Sequence, residues 1–204
     1  SRNAQWGGKG RPQDLDSLWD MVIGDDNGED QGDDLAAARE TDPSNQLGTV
    51  DFRLNFPLLQ TQSAFYMQYT GEDESNGFPS RGMDLAGIET AFASRDLFHR
   101  FALEYVDSMS GAHGDSRPNT AYEHSTYQSG YRYRSRPIGA TFDNDTRAWI
   151  LSGDHYFADG DQISWRVLQL DLNRDGSNRA GVWGGSTFGA DAVETLLIQA
   201  SYAI

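Results

Sequence analysis

The chain has 204 residues, with 31 acidic against 16 basic side chains and a formal charge of −15. This acidity disfavours nucleic acid as a partner, because phosphate binding needs a basic surface. The absence of cysteine excludes disulfides, thiol catalysis and cysteine-ligated zinc. No apolar run approaches the length of a membrane-spanning helix. Membrane-spanning β-strands are not excluded, because such a strand needs only one apolar face.

The first 47 residues are predicted to form one helix and an acidic loop, without a strand. Apolar residues recur at helical spacing from Leu15 to Val22, which predicts about three helical turns that end at Gly24. The stretch from Asp25 to Asp42 holds eight carboxylates and one arginine. We expect this stretch to be a loop open to water, because it is too charged to pack against apolar side chains.

From residue 48 onward the hydrophobic period changes to two, the period of a β-strand. The clearest alternating runs are Val50–Phe56, Phe65–Tyr69, Phe101–Tyr105 and Leu196–Tyr202. Weaker runs lie at 83–92, 147–158 and 161–172. Together they predict about seven strands, most of them near ten residues long. That length exceeds the usual strand of about five or six residues and suits a tilted membrane strand.

The predicted connections are short at 59–63, 94–97 and 157–161, and long at 107–146 and 173–192. Short turns on one side and long loops on the other are typical of outer-membrane barrels. Aromatic residues near the strand ends fit an interfacial girdle: Phe56, Tyr69, Tyr105, Trp149, Trp165 and Tyr202. Periodicity alone leaves a soluble β-sandwich open as the alternative, with these aromatics in its core.

Few motifs in the chain point to a metal or to catalysis. Residues Asp171 to Gly176 begin like a calcium loop, but the twelfth position holds Val182 instead of an acid, and we interpret them as an Asx-rich turn. The four histidines lack metal-ligand spacing, and no G-x-S-x-G motif is present. We therefore predict no metal, no cofactor and no enzymatic activity.

The stretch from Tyr122 to Arg136 concentrates tyrosine and arginine in an otherwise acidic chain. Tyrosine offers a flat apolar face with a hydrogen-bonding edge, and arginine offers a planar fork for carboxylates. This combination predicts contact with an acidic polysaccharide through Tyr122, Tyr127, Tyr131, Arg132, Tyr133, Arg134 and Arg136. The alternative is a loop whose arginines pair with its own acids, including Asp143 and Asp145.

Across nearly the whole chain, the order and spacing of motifs resemble the capsule assembly Wzi family of bacterial outer-membrane proteins. The matching segments are Trp6–Gly8, Arg11–Pro12, Gly24–Asn27, Pro43–Leu47, Tyr69–Glu74, Gly77–Ser80, Glu104–Asp107, Tyr122–Gly139, Asp143–Asp145 and Asn173–Gly176. The resemblance implies an outer-membrane β-barrel of about eighteen strands with some helical elements. This sequence would be its C-terminal part, a fragment of a little under half, with the signal peptide and earlier strands preceding it.

The expected fold is therefore all-β: an antiparallel transmembrane β-barrel portion with a short N-terminal helix and long outward loops. We treat residues 1–204 as a single domain, with the helix and acidic loop in 1–47 and the strands in 48–204. About seven strands cannot close a barrel alone, since the smallest bacterial barrels have eight. The segment would then leave two unpaired edges.

The resemblance implies lectin-like attachment of capsular polysaccharide at the cell surface, with outer-membrane lipid as the other partner. It supplies no catalytic residues. A porin-like channel is the first alternative, with Arg53, Arg100, Glu104 and Arg166 lining a wet lumen. An enzyme acting on capsule or another glycan is the second, although the sequence shows no identifiable acid pair or nucleophile.

Overall fold

The computed structural model describes residues 2–7, 12–23, 44–58, 61–75, 78–111, 116–123, 130–134, 136–176 and 191–204. The predicted acidic loop at 25–42 lies outside these residues. In chain order the elements are β1 Arg2–Trp6, α1 Leu15–Ile23, β2 Ser44–Leu58, β3 Thr61–Ser75, β4 Phe78–Ser94, β5 Leu97–Asp107, β6 Arg132–Tyr133, β7 Arg136–Pro137, β8 Arg147–Phe157, β9 Gln162–Leu172 and β10 Val193–Ala203.

Eight strands form one antiparallel sheet in the order β1-β2-β3-β4-β5-β8-β9-β10. The seven predicted strands correspond to β2–β5 and β8–β10. The prediction of no strand before residue 48 is wrong, because β2 begins at Ser44 and β1 pairs with it from Arg2↔Gly48 to Trp6↔Ser44. The β1 segment lacks apolar alternation, since backbone pairing with β2, and not a buried face, makes it a strand.

The helix forms where the sequence predicts it, and its last residue is Ile23, in agreement with the predicted end at Gly24. Asp14 caps its N-terminus: the carboxylate accepts a hydrogen bond from the backbone N–H of Ser17 at 2.8 Å. Gln46 of β2 donates to the carbonyl of Met21 at 3.2 Å and holds the helix beside the sheet. No helix in the described part of the chain is long and apolar enough to cross a membrane.

One face of the sheet, the outer face, is apolar and uncovered. Strand register aligns one residue from each of seven neighbouring strands: Leu54, Phe65, Ile88, Leu103, Leu151, Val167 and Ile198. Leu54 is 52% exposed and Ile198 is 69% exposed. The period-two prediction is confirmed, and the sandwich alternative is wrong, because a sandwich would cover this face with a second large sheet. Among the described residues the only other sheet is the two-stranded β6-β7 pair.

The six predicted girdle aromatics all lie on the outer face by register. Tyr69, Tyr105 and Trp149 lie towards the end of the long connections. The rings of Tyr105 and Trp149 are 4.8 Å apart. Phe56, Trp165 and Tyr202 lie towards the short turns. Two aromatic levels at opposite ends of an apolar band match the two interfaces of a bilayer.

The opposite face, the inner face, carries polar residues and the buried core. Two apolar clusters lie between this face and residues 108–146, which connect β5 to β8. The first holds Leu47, Met83, Ala121, Tyr122 and Tyr131. The second holds Ala148, Leu168, Leu170 and Leu172, with Phe142 packed against it. The core is therefore formed by the sheet and this one connection together.

Candidate functional site

The described residues between 108 and 146, called here the connecting loop, fold back over the inner face at the end of the long connections. The backbone N–H of Ser108 donates to Thr146 O at 2.9 Å, and Thr146 N–H donates to Ser108 Oγ at 3.0 Å. The Ser108 hydroxyl donates in turn to the carbonyl of Asp143 at 2.5 Å. A cavity of about 460 Å³ lies between loop and sheet, with Phe142 and Glu104 among its lining residues.

Two of the predicted sugar-contacting tyrosines lie inside the protein. Tyr122 is 5% exposed, and its hydroxyl oxygen accepts a hydrogen bond from Ala140 N–H at 3.0 Å. Tyr131 is 6% exposed, and its hydroxyl is directed at the carbonyls of Asn45, at 2.6 Å, and Asn3, at 2.8 Å. Their rings pack in the first core cluster. These side chains join the connecting loop to β1 and β2 and do not reach the surface.

Arg132 is also buried, with its side chain 3% exposed. Its guanidinium binds the carboxylate of Asp143 at 2.7 Å and that of Glu123 at 3.3 Å. Burial alone would lower the pKa of Arg132, but its hydrogen bond to Asp143 and the charge of Glu123 raise that pKa overall. Arg132 therefore follows the alternative interpretation, in which an arginine of this stretch pairs with acids of its own loop.

The other buried carboxylates differ in their partners. Asp107 is paired with Arg174 at 2.5 Å and with Arg147 at 3.6 Å. Asp145 has no ion pair in the described part of the chain and accepts a hydrogen bond from Asn119 N–H at 2.7 Å. Burial raises the pKa of Asp145 to about 7.

A short hairpin made of β6 and β7 carries the exposed part of the predicted site. Tyr133 pairs with Arg136 and is 66% exposed. The Arg134 guanidinium lies 5.4 Å from the centre of the Tyr133 ring, a cation–π contact. Arg134 and Arg136 are both exposed and form no ion pair with any described residue. The hairpin therefore presents to solvent one aromatic face and two cations that no described carboxylate pairs with.

The seven predicted residues thus divide into two groups and one exception. Tyr122, Tyr131 and Arg132 are buried, Tyr133, Arg134 and Arg136 are exposed, and Tyr127 lies outside the described residues. Composition alone could not separate the groups. The signal available in the sequence was the pair of acids Glu123 and Asp143, which flank the arginines and offered a partner for one of them.

The residues of the channel alternative lie together on the inner face. Arg53 and Arg100 both bind the carboxylate of Glu89, Arg100 at 2.7 Å. Glu104 accepts a hydrogen bond from the Tyr66 hydroxyl at 2.7 Å. Arg166 and Glu104 line one cavity together with Arg100. Phe142 of the connecting loop lines the same cavity, so the loop covers part of this polar wall.

The remaining motifs occupy ordinary structural positions. His99 and His155 face each other across β5 and β8 with their Nδ1 atoms 2.8 Å apart. Asp171 lies in β9, and Asn173 to Gly176 form a turn closed by a bond from Gly176 N–H to Asn173 O at 2.9 Å. This geometry agrees with the interpretation of an Asx-rich turn.

Comparison with known proteins places these features in a family. The model of the capsule assembly protein Wzi family matches residues 1–202. A protein of Klebsiella pneumoniae, an uncharacterised 55.8 kDa protein in the cps region, is 43% identical over 90 residues, which is 44% of this chain and 16% of that protein.

A solved structure is similar over the whole chain: Wzi of Escherichia coli, an outer-membrane protein involved in group 1 capsule assembly and a carbohydrate-binding β-barrel. The TM-score is 0.70 and the identity 25%, covering 100% of this chain and 44% of that one. The chain thus spans less than half the length of each relative. The predicted fold, part of an antiparallel outer-membrane β-barrel, and the predicted outer-membrane location are confirmed. The chain belongs to the capsule assembly Wzi family.

Proposed function

We propose that this protein binds capsular polysaccharide at the bacterial cell surface and does so without catalysing a reaction. The observation that carries this proposal is the likeness of the whole chain to a carbohydrate-binding barrel involved in capsule assembly. The matched family is described by capsule assembly and not by a reaction. Outer-membrane lipid is the second proposed partner, because it would cover the outer face, and nucleic acid is not one.

The exposed hairpin is the proposed contact surface. Sugars stack on aromatic faces, and the guanidinium of arginine binds carboxylates in a bidentate way. Tyr133, Arg134 and Arg136 offer these two chemistries side by side, and Arg134 is already oriented by the ring of Tyr133. Tyr122, Tyr131 and Arg132 support the hairpin from below the surface, while any role of Tyr127 stays a prediction.

Charge selects the kind of sugar that the hairpin would take. The chain carries −15 overall, so an acidic polymer is repelled by most of its surface. At physiological ionic strength the screening length is about 8 Å, so unpaired cations act mainly on groups in direct contact. Arg134 and Arg136 therefore favour uronic-acid or similar acidic sugars bound locally at the hairpin.

The test uses a capsulated strain that lacks the full-length gene, complemented with defined variants. Wild-type protein should keep the polysaccharide on the cells, and the Arg134→Ser/Arg136→Ser double variant should release it into the medium at unchanged total. In vitro, loss of one charge-assisted hydrogen bond weakens binding roughly tenfold. Arg95→Ser, in the short turn between β4 and β5, is the matched control and should behave as wild type.

Two results would overturn different parts of the proposal. Polysaccharide that stays on cells lacking the gene would exclude the anchoring function. Normal retention by the double variant, with release on gene deletion, would remove the hairpin from the binding site and leave the function itself standing.

A porin-like channel is the second candidate, because Arg53, Arg100, Glu104 and Arg166 share the inner face. The connecting loop lies across part of that face and argues against free passage. Planar-bilayer conductance of the full-length protein separates the two functions: a persistent open conductance would favour the channel.

A further inference from the structure

Three stretches of the chain that are distant in sequence meet at Asp145. One carboxylate oxygen of Asp145 accepts a hydrogen bond from the backbone of Asn119 at 2.7 Å. The side-chain amide of the same asparagine donates to the carboxylate of Asp175. Arg174 N–H donates to the carbonyl of Asp145 at 3.0 Å. The carboxylates of Asp145 and Asp175 are thus held by one asparagine between them.

Buried polar atoms at this place are left without a partner. Asp145 and the adjacent Asn144 are each 0% exposed. The second oxygen of Asp145, Oδ1, and both amide atoms of Asn144 have no hydrogen-bond partner among the described residues. Such atoms are rare in native proteins, and an ordered water or a bound ion is their common partner. Because the other oxygen of Asp145 and the carboxylate of Asp175 are both bound to Asn119, we expect the partner of Oδ1 to lie close to this asparagine.

The charge around Asp145 favours a cation. Four buried carboxylates are described, of Asp107, Glu123, Asp143 and Asp145, and the first three are paired with arginine. Asp175 and Glu123 add negative charge near Asp145, and Arg174 adds positive charge. The guanidinium of Arg174, however, is engaged with Asp107 at 2.5 Å. A buried carboxylate without its own counter-ion is costly, and a bound cation removes that cost.

The donor chemistry selects the cation. The chain has no cysteine, and the groups at this place are carboxylates, amides and backbone carbonyls. Hard divalent cations take oxygen ligands of this kind, and calcium accepts irregular sets that include asparagine and backbone oxygens. No three acidic or histidine side chains come together in the described ranges, so two carboxylates would supply the charge.

We propose that Asp145 and Asp175 bind one calcium ion, with neighbouring amide or carbonyl oxygens and water completing its coordination. This site uses a different ligand set from the calcium loop considered at Asp171 to Gly176, since Asp171 lies in β9. The ion would tie the connecting loop to the turn after β9. Neither carboxylate belongs to the β6-β7 hairpin, so the proposal is independent of the proposed sugar contact.

The test is calcium titration by calorimetry of the full-length protein in detergent, after treatment with EGTA and exchange into calcium-free buffer. Wild-type protein should show one saturable site. Asp145→Asn, which keeps an oxygen for Asn119 N–H, should weaken it at least about tenfold through loss of a charged ligand. Asp175→Asn, at an exposed position, should weaken it as well and serves if Asp145→Asn fails to fold. Asp159→Asn, in the turn between β8 and β9, is the matched control.

Thermal unfolding supplies a second readout. Calcium should raise the unfolding temperature of wild-type protein and of Asp159→Asn, because a ligand that binds only the folded state stabilises it. It should not raise that of Asp145→Asn or Asp175→Asn. Absence of saturable binding to wild-type protein would overturn the proposal and leave a neutral carboxyl or a bound water at Asp145. Equal affinity in wild type and both variants would overturn it too, by placing the calcium elsewhere in this acidic chain.

Discussion

The outer face of the sheet and the connecting loop are stabilised in opposite ways. On the outer face, apolar side chains such as Leu103 and Leu151 stand exposed on regular strands. In the connecting loop, which lies outside the large sheet, charged side chains such as Arg132 and Asp143 are buried. A bilayer accounts for the first arrangement, because lipid is the favourable environment for an apolar face. Specific pairing accounts for the second, because a buried charge needs a partner.

The difference shows what kind of change each region tolerates. The outer face depends only on the apolar character of its side chains, so one apolar residue there can replace another. The loop depends on individual partners, so the loss of one side chain leaves other charges or hydrogen-bonding groups buried without compensation. Charge therefore should be harmful on the outer face, and loss of charge should be harmful in the loop.

The largest effect is expected from Arg132→Met, which leaves Glu123 and Asp143 buried without their cation. Breaking a buried ion pair by removing one partner costs about 3–5 kcal/mol. Urea unfolding and limited proteolysis of the full-length protein measure the loss. Arg134→Met, at an exposed neighbouring position, should change the free energy of unfolding by less than about 0.5 kcal/mol. Equal losses in both variants would contradict the burial contrast between these two arginines.

A smaller effect is expected from Met67→Arg on β3, because its side chain lies on the outer face and is 42% exposed. Arginine facing lipid near the bilayer midplane costs about 2–4 kcal/mol. Gln68→Arg, one residue along, lies on the inner face, where Gln68 already binds the carboxylate of Asp51 at 2.8 Å. When unfolding is measured in lipid bilayers, only Met67→Arg should lower the free energy of unfolding. A matching penalty for Gln68→Arg would show that the two faces are not distinct.

The smallest effect is expected at α1, where Asp14 caps the helix. The Ser17 N–H hydrogen bond to its carboxylate lowers the pKa of Asp14 from 3.8. A lowered folded-state pKa means that the cap is fully present above pH 3.8 and is lost as the pH falls through the lower value. The protection factor of the Ser17 amide, which compares its hydrogen exchange with that of the unfolded chain at the same pH, should therefore fall in acid, and it should already be low in Asp14→Ala at neutral pH. In Asp14→Ala this exchange should lack the additional acid-dependent step.

The strands were predictable because their pattern is local. The alternation of apolar and polar residues at Val50–Phe56 and at Leu196–Tyr202 indicates strands with one apolar face along their length. The helix that begins at Leu15 follows from the helical spacing of its apolar residues. The short strand β1 escaped prediction because, apart from one side-chain hydrogen bond from Asn45 to Gln5, it is joined to β2 through backbone groups. Those groups are the same for every residue type and leave little trace in the sequence.

The candidate site was predictable only as a region. The tyrosines and arginines between Tyr122 and Arg136 indicated a surface for acidic sugar, but three of them are buried. Tyr131 is buried because its hydroxyl binds the carbonyl of Asn45 in β2, 86 residues away in the sequence. Arg132 is buried because Asp143 returns to it from the far end of the loop. Neither partner can be chosen from spacing along the chain.

By itself, the sequence determined the strand pattern, the apolar outer face, the helix and the resemblance to the Wzi family. The strands, the apolar face and the helix follow from local periodicity, and the resemblance follows from the order of short motifs along the chain. Only the tertiary structure decided which arginines face solvent, which tyrosines hold the loop, and that Asp145 forms no ion pair with any residue that the structure describes. Burial and ion pairing depend on contacts between distant residues, and those contacts exist only once the loop has folded over the sheet.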